Sequence, residues 1–173
     1  IVAVTLSVHA YAQHKKINAY KTPSHFISLP RGQVYTTQMT SHWIGSIEQA
    51  TNFLTKTLKP SDMFFALPYD PLYYYLTNQK SPTRQLIFFE HTYIPQAQEI
   101  KIIQELESHP ITHIVLSNFF KTDDHYRGTL GATYCPLIAS YIFQNFTPVA
   151  QLGEWNDAPG WADHHGVTVL QRK

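Results

Sequence analysis

The stretch Lys59-Pro60-Ser61-Asp62-Met63-Phe64-Phe65-Ala66-Leu67-Pro68-Tyr69-Asp70-Pro71 decides the fold. Met63 to Leu67 is a continuous apolar run without alternation, the pattern of a strand buried on both faces. Lys59 to Asp62 stops whatever comes before it. Asp70 can accept an orphan amide hydrogen at a helix start, and Pro71 at the first helical position sacrifices no hydrogen bond there. A short helix over Leu72–Leu76 therefore follows the strand, and a strand buried on both faces and followed by a helix belongs in the centre of a parallel sheet.

The same pattern extends in both directions. Upstream, Val34-Tyr35-Thr36-Thr37 reads as a strand, and Ile44, Ile47, Phe53, Leu54 and Leu58 recur near the helical period, which predicts a helix over 44–58. Downstream, Gln85–Phe89 is a second apolar run. Pro95–Ser108 is a helix with Ile100, Ile103 and Leu106 on one face, and His113–Leu116 is a third run. Thr133 and Pro136 open a helix through Asn145, and Pro148–Leu152 and Val167–Leu170 are the last strands. Strands alternating with helices predict an α/β fold: a three-layer, Rossmann-like, mostly parallel sheet with helices on both faces. Met63–Leu67, Gln85–Phe89 and His113–Leu116 are expected as adjacent parallel strands. The last two strands can pair antiparallel at an edge. Residues 1–32 read as an extended segment and 33–173 as one α/β domain.

The 173 residues are 43% hydrophobic and 14% charged, with 13 basic against 12 acidic side chains. Such a chain can bury a core as a single domain. Scattered charge with a net of +1 offers no footprint for nucleic acid or anionic lipid. The lone Cys135 excludes an intrachain disulfide and a cysteine-rich zinc site. Ile1 to Ala12 carries no charge and is too short to span a bilayer. It can be the end of a spanning helix, or a signal segment ending in Ala10-Tyr11-Ala12, or a strand in which Val2, Val4, Leu6 and Val8 alternate.

In open α/β sheets a ligand lies beyond the carboxyl ends of the strands. That places Pro68-Tyr69-Asp70, Glu90-His91-Thr92 and Ser117-Asn118 at the natural site. Glu90 beside His91 could serve acid–base chemistry, and Tyr69 could stack on a sugar or base. The competing reading makes Asp70 a helix cap, Glu90 and His91 solvated loop residues, and Tyr69 a core lid. Asp123-Asp124-His125 and the Glu154-to-His165 segment carry metal-type ligands, but solvated loops are the commoner use of such residues. Arg127-Gly128-Thr129-Leu130-Gly131 lacks the dinucleotide fingerprint, and no phosphate loop or Gly-x-Ser-x-Gly elbow is present. Cys135, next to Pro136, reads as a buried thiol. No catalytic residue, metal ligand or cofactor is assigned.

Lys59 to Arg84 resembles the soluble domain that follows the membrane helices in multi-span glycosyltransferases of the protein-mannosyltransferase and aminoarabinose-transferase-like superfamily. The resemblance rests on Pro68, Asp70, Leu72, Tyr73, Leu76, Thr77, Pro82 and Arg84, with Gly153-Glu154-Trp155 and Pro159-Gly160-Trp161 nearer the end. It implies a C-terminal extracytoplasmic domain, periplasmic or on the outer face and tethered to the inner or plasma membrane. The parent enzyme would move a sugar from a polyprenyl-phosphate carrier, with its catalytic acid in the membrane part. The domain itself would be an inactive accessory whose partners are that membrane part and a glycan or lipid-linked sugar. Tyr69, Asp70, Tyr73, Arg84, Glu90 and His91 are the candidate binding residues. Arg84 offers a planar guanidinium for a phosphate or carboxylate. A periplasmic small-molecule or sugar-binding module, and a small stand-alone enzyme using Asp70, Glu90 and His91, remain the alternatives.

Overall fold

The computed structural model describes residues 11–14, 25–29, 31–36, 41–120, 127–162 and 164–173. Residues 1–10 of the uncharged Ile1–Ala12 run, read as a strand, the end of a membrane helix or a signal segment, and the Asp123-Asp124-His125 cluster lie outside the described residues, while Tyr11 and Ala12 are helical.

A hairpin opens the described domain. β1 (His25–Leu29) pairs antiparallel with β2 (Gly32–Thr36). The segment read as merely extended thus contains a strand, and it brings Leu29 into the core. Then follow α1 (Ser41–Thr57), β3 (Met63–Leu67), α2 (Pro71–Thr77), α3 (Gln96–Ser108), β4 (Ile111–Phe120), α4 (Pro136–Asn145), β5 (Phe146–Gly153), β6 (Gly160–Ala162) and β7 (Gly166–Arg172).

The main sheet runs β3-β4-β7-β5, with β6 also on β4. β3 and β6 run parallel to β4, whereas β7 is antiparallel to both β4 and β5. The fold is α/β with a mixed sheet, so the expectation of a mostly parallel one is corrected. The antiparallel final pair is present, but of its two strands only β5 is an edge; at the other end of the order stands β3, which corrects the central place expected for Met63–Leu67. β7 lies inside the sheet, and Gly166 to Leu170 are buried without interruption, while β5 is mostly exposed. A strand paired on both sides and covered on both faces needs that uninterrupted burial.

Gln85–Phe89 is not a strand. Its neighbourhood satisfies backbone carbonyls with its own side chains: Ser81 Oγ donates to the Thr83 carbonyl, Thr83 Oγ1 to that of Gln85, and Gln85 Nε2 to that of Ile87. A segment whose carbonyls are already taken gains little from a ladder. It touches the end of β3 through the Phe88 amide, which donates to the Pro68 carbonyl at 2.8 Å. Phe88 itself is a core residue, edge-on to Phe65.

Alternation along the strands divides the core. Phe64, Ala66, Val115, Val167 and Val169 pack with Ile44, Ile47, Ala50 and Leu54 of α1 and with Tyr73, Tyr74 and Leu76 of α2. Phe65, Leu67, Ile114, Leu116 and Leu170 pack with Ile102 and Leu106 of α3 and with Ile138, Ala139 and Ile142 of α4. On α3 the buried positions are Glu99, Ile102 and Leu106, while Ile100 is 45% exposed, which corrects the face expected for that helix.

Glu99 is buried because it serves another helix. Its Oε2 accepts the backbone amides of Leu137 and Ile138 at 2.9 and 3.0 Å, at the start of α4. Those amides lack intrahelical acceptors, and the positive end of the helix dipole favours a carboxylate there. Glu99→Ala is therefore expected to cost ~2–3 kcal/mol in urea unfolding, since two buried charge-assisted hydrogen bonds disappear. Glu99→Gln keeps one carbonyl acceptor and should cost less. Equal stability of all three proteins would show that the contact contributes nothing.

Candidate functional site

The site begins with a break in the sheet. β3 follows β4 as far as the Leu67–Leu116 pair, and β6 takes up the pairing at Gly160–Asn118. Asn118 also pairs with Gly166 of β7 on its other side, so β6 continues the line that β3 leaves. Between them Ser117 has no neighbour on that side. The chain turns away at Pro68, and Asp70 and Tyr73 come to rest over the gap.

The result is a niche lined by Trp43, Ser46, Asp70, Tyr73, Ser117, Asn118, Phe119 and His165, with Ile47, Gly166 and Val167 completing its wall. Asp70, Tyr73, Ser117 and Asn118 are buried, whereas Trp43, Phe119 and His165 are half-buried and form the rim. The free interior is close to what one water molecule needs. Asp70 Oδ2, Tyr73 Oη, Ser117 Oγ and Asn118 Oδ1 are all buried without a hydrogen-bond partner. Such groups are normally satisfied, and each one left bare costs about 1–3 kcal/mol.

Burial pushes the Asp70 carboxyl up from 3.8 to about 7, and the neighbouring Ser117 hydroxyl draws it part of the way back. That hydroxyl lies beside Asp70 and Tyr73 but completes a well-aligned bond with neither. Tyr73 is held well above its ordinary range by burial and then by the Asp70 charge. It stays a neutral phenol. Asp70 is also not the side-chain helix cap expected from sequence. α2 starts with the Tyr73 amide on the Asp70 backbone carbonyl, and no side-chain cap forms. Next to the niche, Tyr74 Oη accepts the Ala66 amide at 2.9 Å, which satisfies a donor of the edge strand β3.

The rim is held by the chain entering β7. Ser46 Oγ donates to the His165 carbonyl at 3.4 Å, and the Glu154 amide donates to the same carbonyl at 2.8 Å. The His165 ring stands 6.1 Å from both Trp43 and Phe119. Asn118 Nδ2 donates to the Glu154 and His164 carbonyls, which fixes the orientation of its amide. Gly166 is required by packing, since a Cβ there would lie 2.1 Å from the Trp155 amide nitrogen.

Of the six candidate binding residues, the structure brings Asp70 and Tyr73 together. Tyr69 is 47% exposed, on the surface beside them. Arg84 is exposed along an open groove with Gln98, Lys101 and Glu105. Glu90 and His91 are exposed in the turn after Phe89, where the Glu90 amide donates to the Arg127 carbonyl and the Glu90 carboxylate lies against Gly128. They do not line the niche, so the Asp70–Glu90–His91 constellation is not assembled. Trp43 and His165 were not singled out for the site, although Ser117-Asn118, the polar pair that follows the apolar run His113–Leu116 and lies inside the longer β4, marked its floor.

Cys135 is buried, and its thiol is pushed up to about 12 by burial and then by the Glu99 charge, so it is no nucleophile at neutral pH. Among the described residues no three His, Cys, Asp or Glu side chains are grouped to hold a metal ion, and no helix is long and apolar enough to cross a membrane.

Because the folded state raises the Asp70 pKa, it favours the protonated form. The stabilising contribution is full below about pH 4, the ordinary value being 3.8, and is lost as pH rises through about 7. Between those limits the protein should lose up to ~4 kcal/mol on this account. Asp70→Asn should remove that slope, so the variant gains on the parent as pH rises from 4.5 to 8 in urea unfolding. A constant difference between the two proteins would contradict the assigned burial.

No protein family, curated protein or solved structure matches the chain.

Proposed function

We propose that this chain is a non-catalytic extracytoplasmic domain of a membrane glycosyltransferase that draws on a polyprenyl-phosphate-linked sugar. In this reading it covers the active site of the membrane part or helps to select the acceptor. The observation that carries the proposal is the outer face of the segment bearing the resemblance. Tyr69, Leu72 and Tyr75 are 47%, 41% and 54% exposed at a spacing of three residues. Tyr73, Tyr74 and Leu76 of the same segment are buried in the core. The segment thus holds itself in the domain with one face and offers a tyrosine-rich face outward. Surface apolar groups clustered in this way mark contact sites, and tyrosine suits a boundary that is part apolar and part wet. Arg84, exposed at the end of the segment, adds a cation that can meet a carrier phosphate. In the same reading, helices on the two sides of the sheet make a three-layer, Rossmann-like domain.

A periplasmic small-molecule or sugar-binding module is the second reading, favoured by the polar niche behind its aromatic rim. The reading frame upstream of Ile1 separates the two: several apolar spans support the transferase domain, and a signal peptide alone supports the free module.

In the full-length enzyme, Tyr69→Glu with Leu72→Glu should lower sugar transfer by about tenfold, the equivalent of ~1.4 kcal/mol of lost contact; Tyr75 is left in place because its hydroxyl donates to the Arg31 carbonyl and its ring lies under the Arg31 guanidinium. The melting temperature of the domain should hardly change, because both side chains are exposed. Arg84→Ala should likewise lower transfer more than stability. Unchanged transfer in both variants, or loss of transfer only in step with stability, would overturn the proposal.

A further inference from the structure

The niche poses a problem of charge and hydrogen bonding that points to a class of ligand. Its floor holds one carboxylate oxygen and two hydroxyl oxygens, Asp70 Oδ2, Ser117 Oγ and Tyr73 Oη, each buried and without a partner. Ser117 lies beside both of the others, so the three oxygens share one small volume. Asn118 Oδ1, also unpartnered, belongs to the same lining. The interior takes a group about the size of a water molecule. The way out passes the half-buried rings of Trp43, Phe119 and His165.

We propose that the niche is a recognition site for a primary ammonium group carried on a short, slender stem. An –NH3+ group has three donors and no acceptor, which matches three bare oxygens. Its single positive charge balances the single carboxylate, so the buried pair is neutral as a whole, whereas a divalent ion would leave an uncompensated charge. The aliphatic stem then lies against Trp43 and Phe119, whose ring faces attract a cation and tolerate methylene groups. A quaternary ammonium is too wide for the niche and has no N–H to donate, and a guanidinium is too broad. A neutral hydroxyl fits in size but leaves the carboxylate unbalanced. His165 and Tyr73 are the other titratable side chains facing the site. Tyr73 remains neutral, and His165 is tied to the rim through its backbone carbonyl. The inference does not depend on the transferase reading, since a free binding module would hold the same niche.

The probes are ethylamine, ethanol, choline and sodium chloride, titrated at pH 8 and constant ionic strength into the 173-residue chain. Amide chemical shifts of the niche residues and tryptophan emission report binding. Ethylamine should bind with a Kd of about 1 mM or weaker, the range open to so small a ligand. At ten times Kd it should raise the melting temperature by about 3 °C. Ethanol and choline should do neither. Asp70→Asn, nearly isosteric, should weaken ethylamine binding at least tenfold, and Ser117→Ala should weaken it less. Trp43→Phe keeps an aromatic face and should retain most of the affinity. Nα-acetyl-lysine amide, added as a fifth probe with only its side-chain ammonium free, would by binding as ethylamine does assign the site to a protein side chain, and binding of ethylamine alone would assign it to a small amine; both support the proposal. Equal binding of ethanol, a response to sodium but not ethylamine, no response to any probe, or ethylamine binding that survives Asp70→Asn would each overturn it.

Discussion

β4 is the constraint on which the structure depends. It runs from Ile111 to Phe120, with β7 along one edge from His113 to Asn118 and β3 then β6 along the other. Its alternating side chains feed two separate cores, Val115 one way and Ile114 and Leu116 the other. The helices on the two faces pack into these two cores. Because no single neighbour runs its whole length, the hand-over from β3 to β6 leaves Ser117 exposed to the turn at Pro68. Polar side chains gather where the ladder has no backbone groups to fill the space. The fold and the candidate site therefore arise from the same strand, one from where it is paired and the other from where pairing changes hands.

Around that strand many buried polar groups outside the niche are matched, although Thr51 Oγ1 and His113 Nε2 also lack a partner, each on its own. Glu99 satisfies the start of α4 from a neighbouring helix. The Tyr74 hydroxyl serves the outer edge of β3, and Ser81, Thr83 and Gln85 quiet the carbonyls of the segment that crosses beyond it. At the opposite end of the sheet, Arg172 lies over the Phe146 ring and donates to the Ile111 carbonyl and to Tyr141, whose hydroxyl in turn donates to Glu107. Against this background, four neighbouring oxygens without partners stand out as the place where the chain keeps capacity for something else. A cluster of unsatisfied buried groups is a stability cost that functional sites commonly carry.

The proposed accessory role and the ammonium niche address different surfaces of one segment. Residues 68–76 supply the buried carboxyl and phenol of the niche from one side and the exposed Tyr69, Leu72 and Tyr75 from the other. A contact made by the outer face would bear on the same short helix that carries Tyr73. The two surfaces are thus joined by a rigid element of two turns, which is the physical means by which occupancy of one could be felt at the other.

The amino-acid sequence alone determined most of the elements. Uninterrupted burial marked β3, helical spacing marked α1 and α3, and Pro71 and Pro136 marked the starts of α2 and α4, because these signals are local and act through backbone geometry. It also determined that polar groups would follow the apolar runs of β3 and β4, at Asp70 and Ser117-Asn118, while the structure carries β4 on to Phe120 and so places the second pair inside the strand. The tertiary structure decided which apolar runs pair. Gln85–Phe89 and Val167–Leu170 both look like buried strands, and only the second has free backbone groups and two available neighbours. Tertiary structure also decided that Glu99 on α3 would face inward to meet another helix, and that Glu90 and His91 would stand apart from Asp70. Trp43 and His165 joined the site from distant parts of the chain, and no local pattern records that meeting. Pairing, burial of charge and the convergence of remote side chains depend on three-dimensional distance, which periodicity and propensity do not encode.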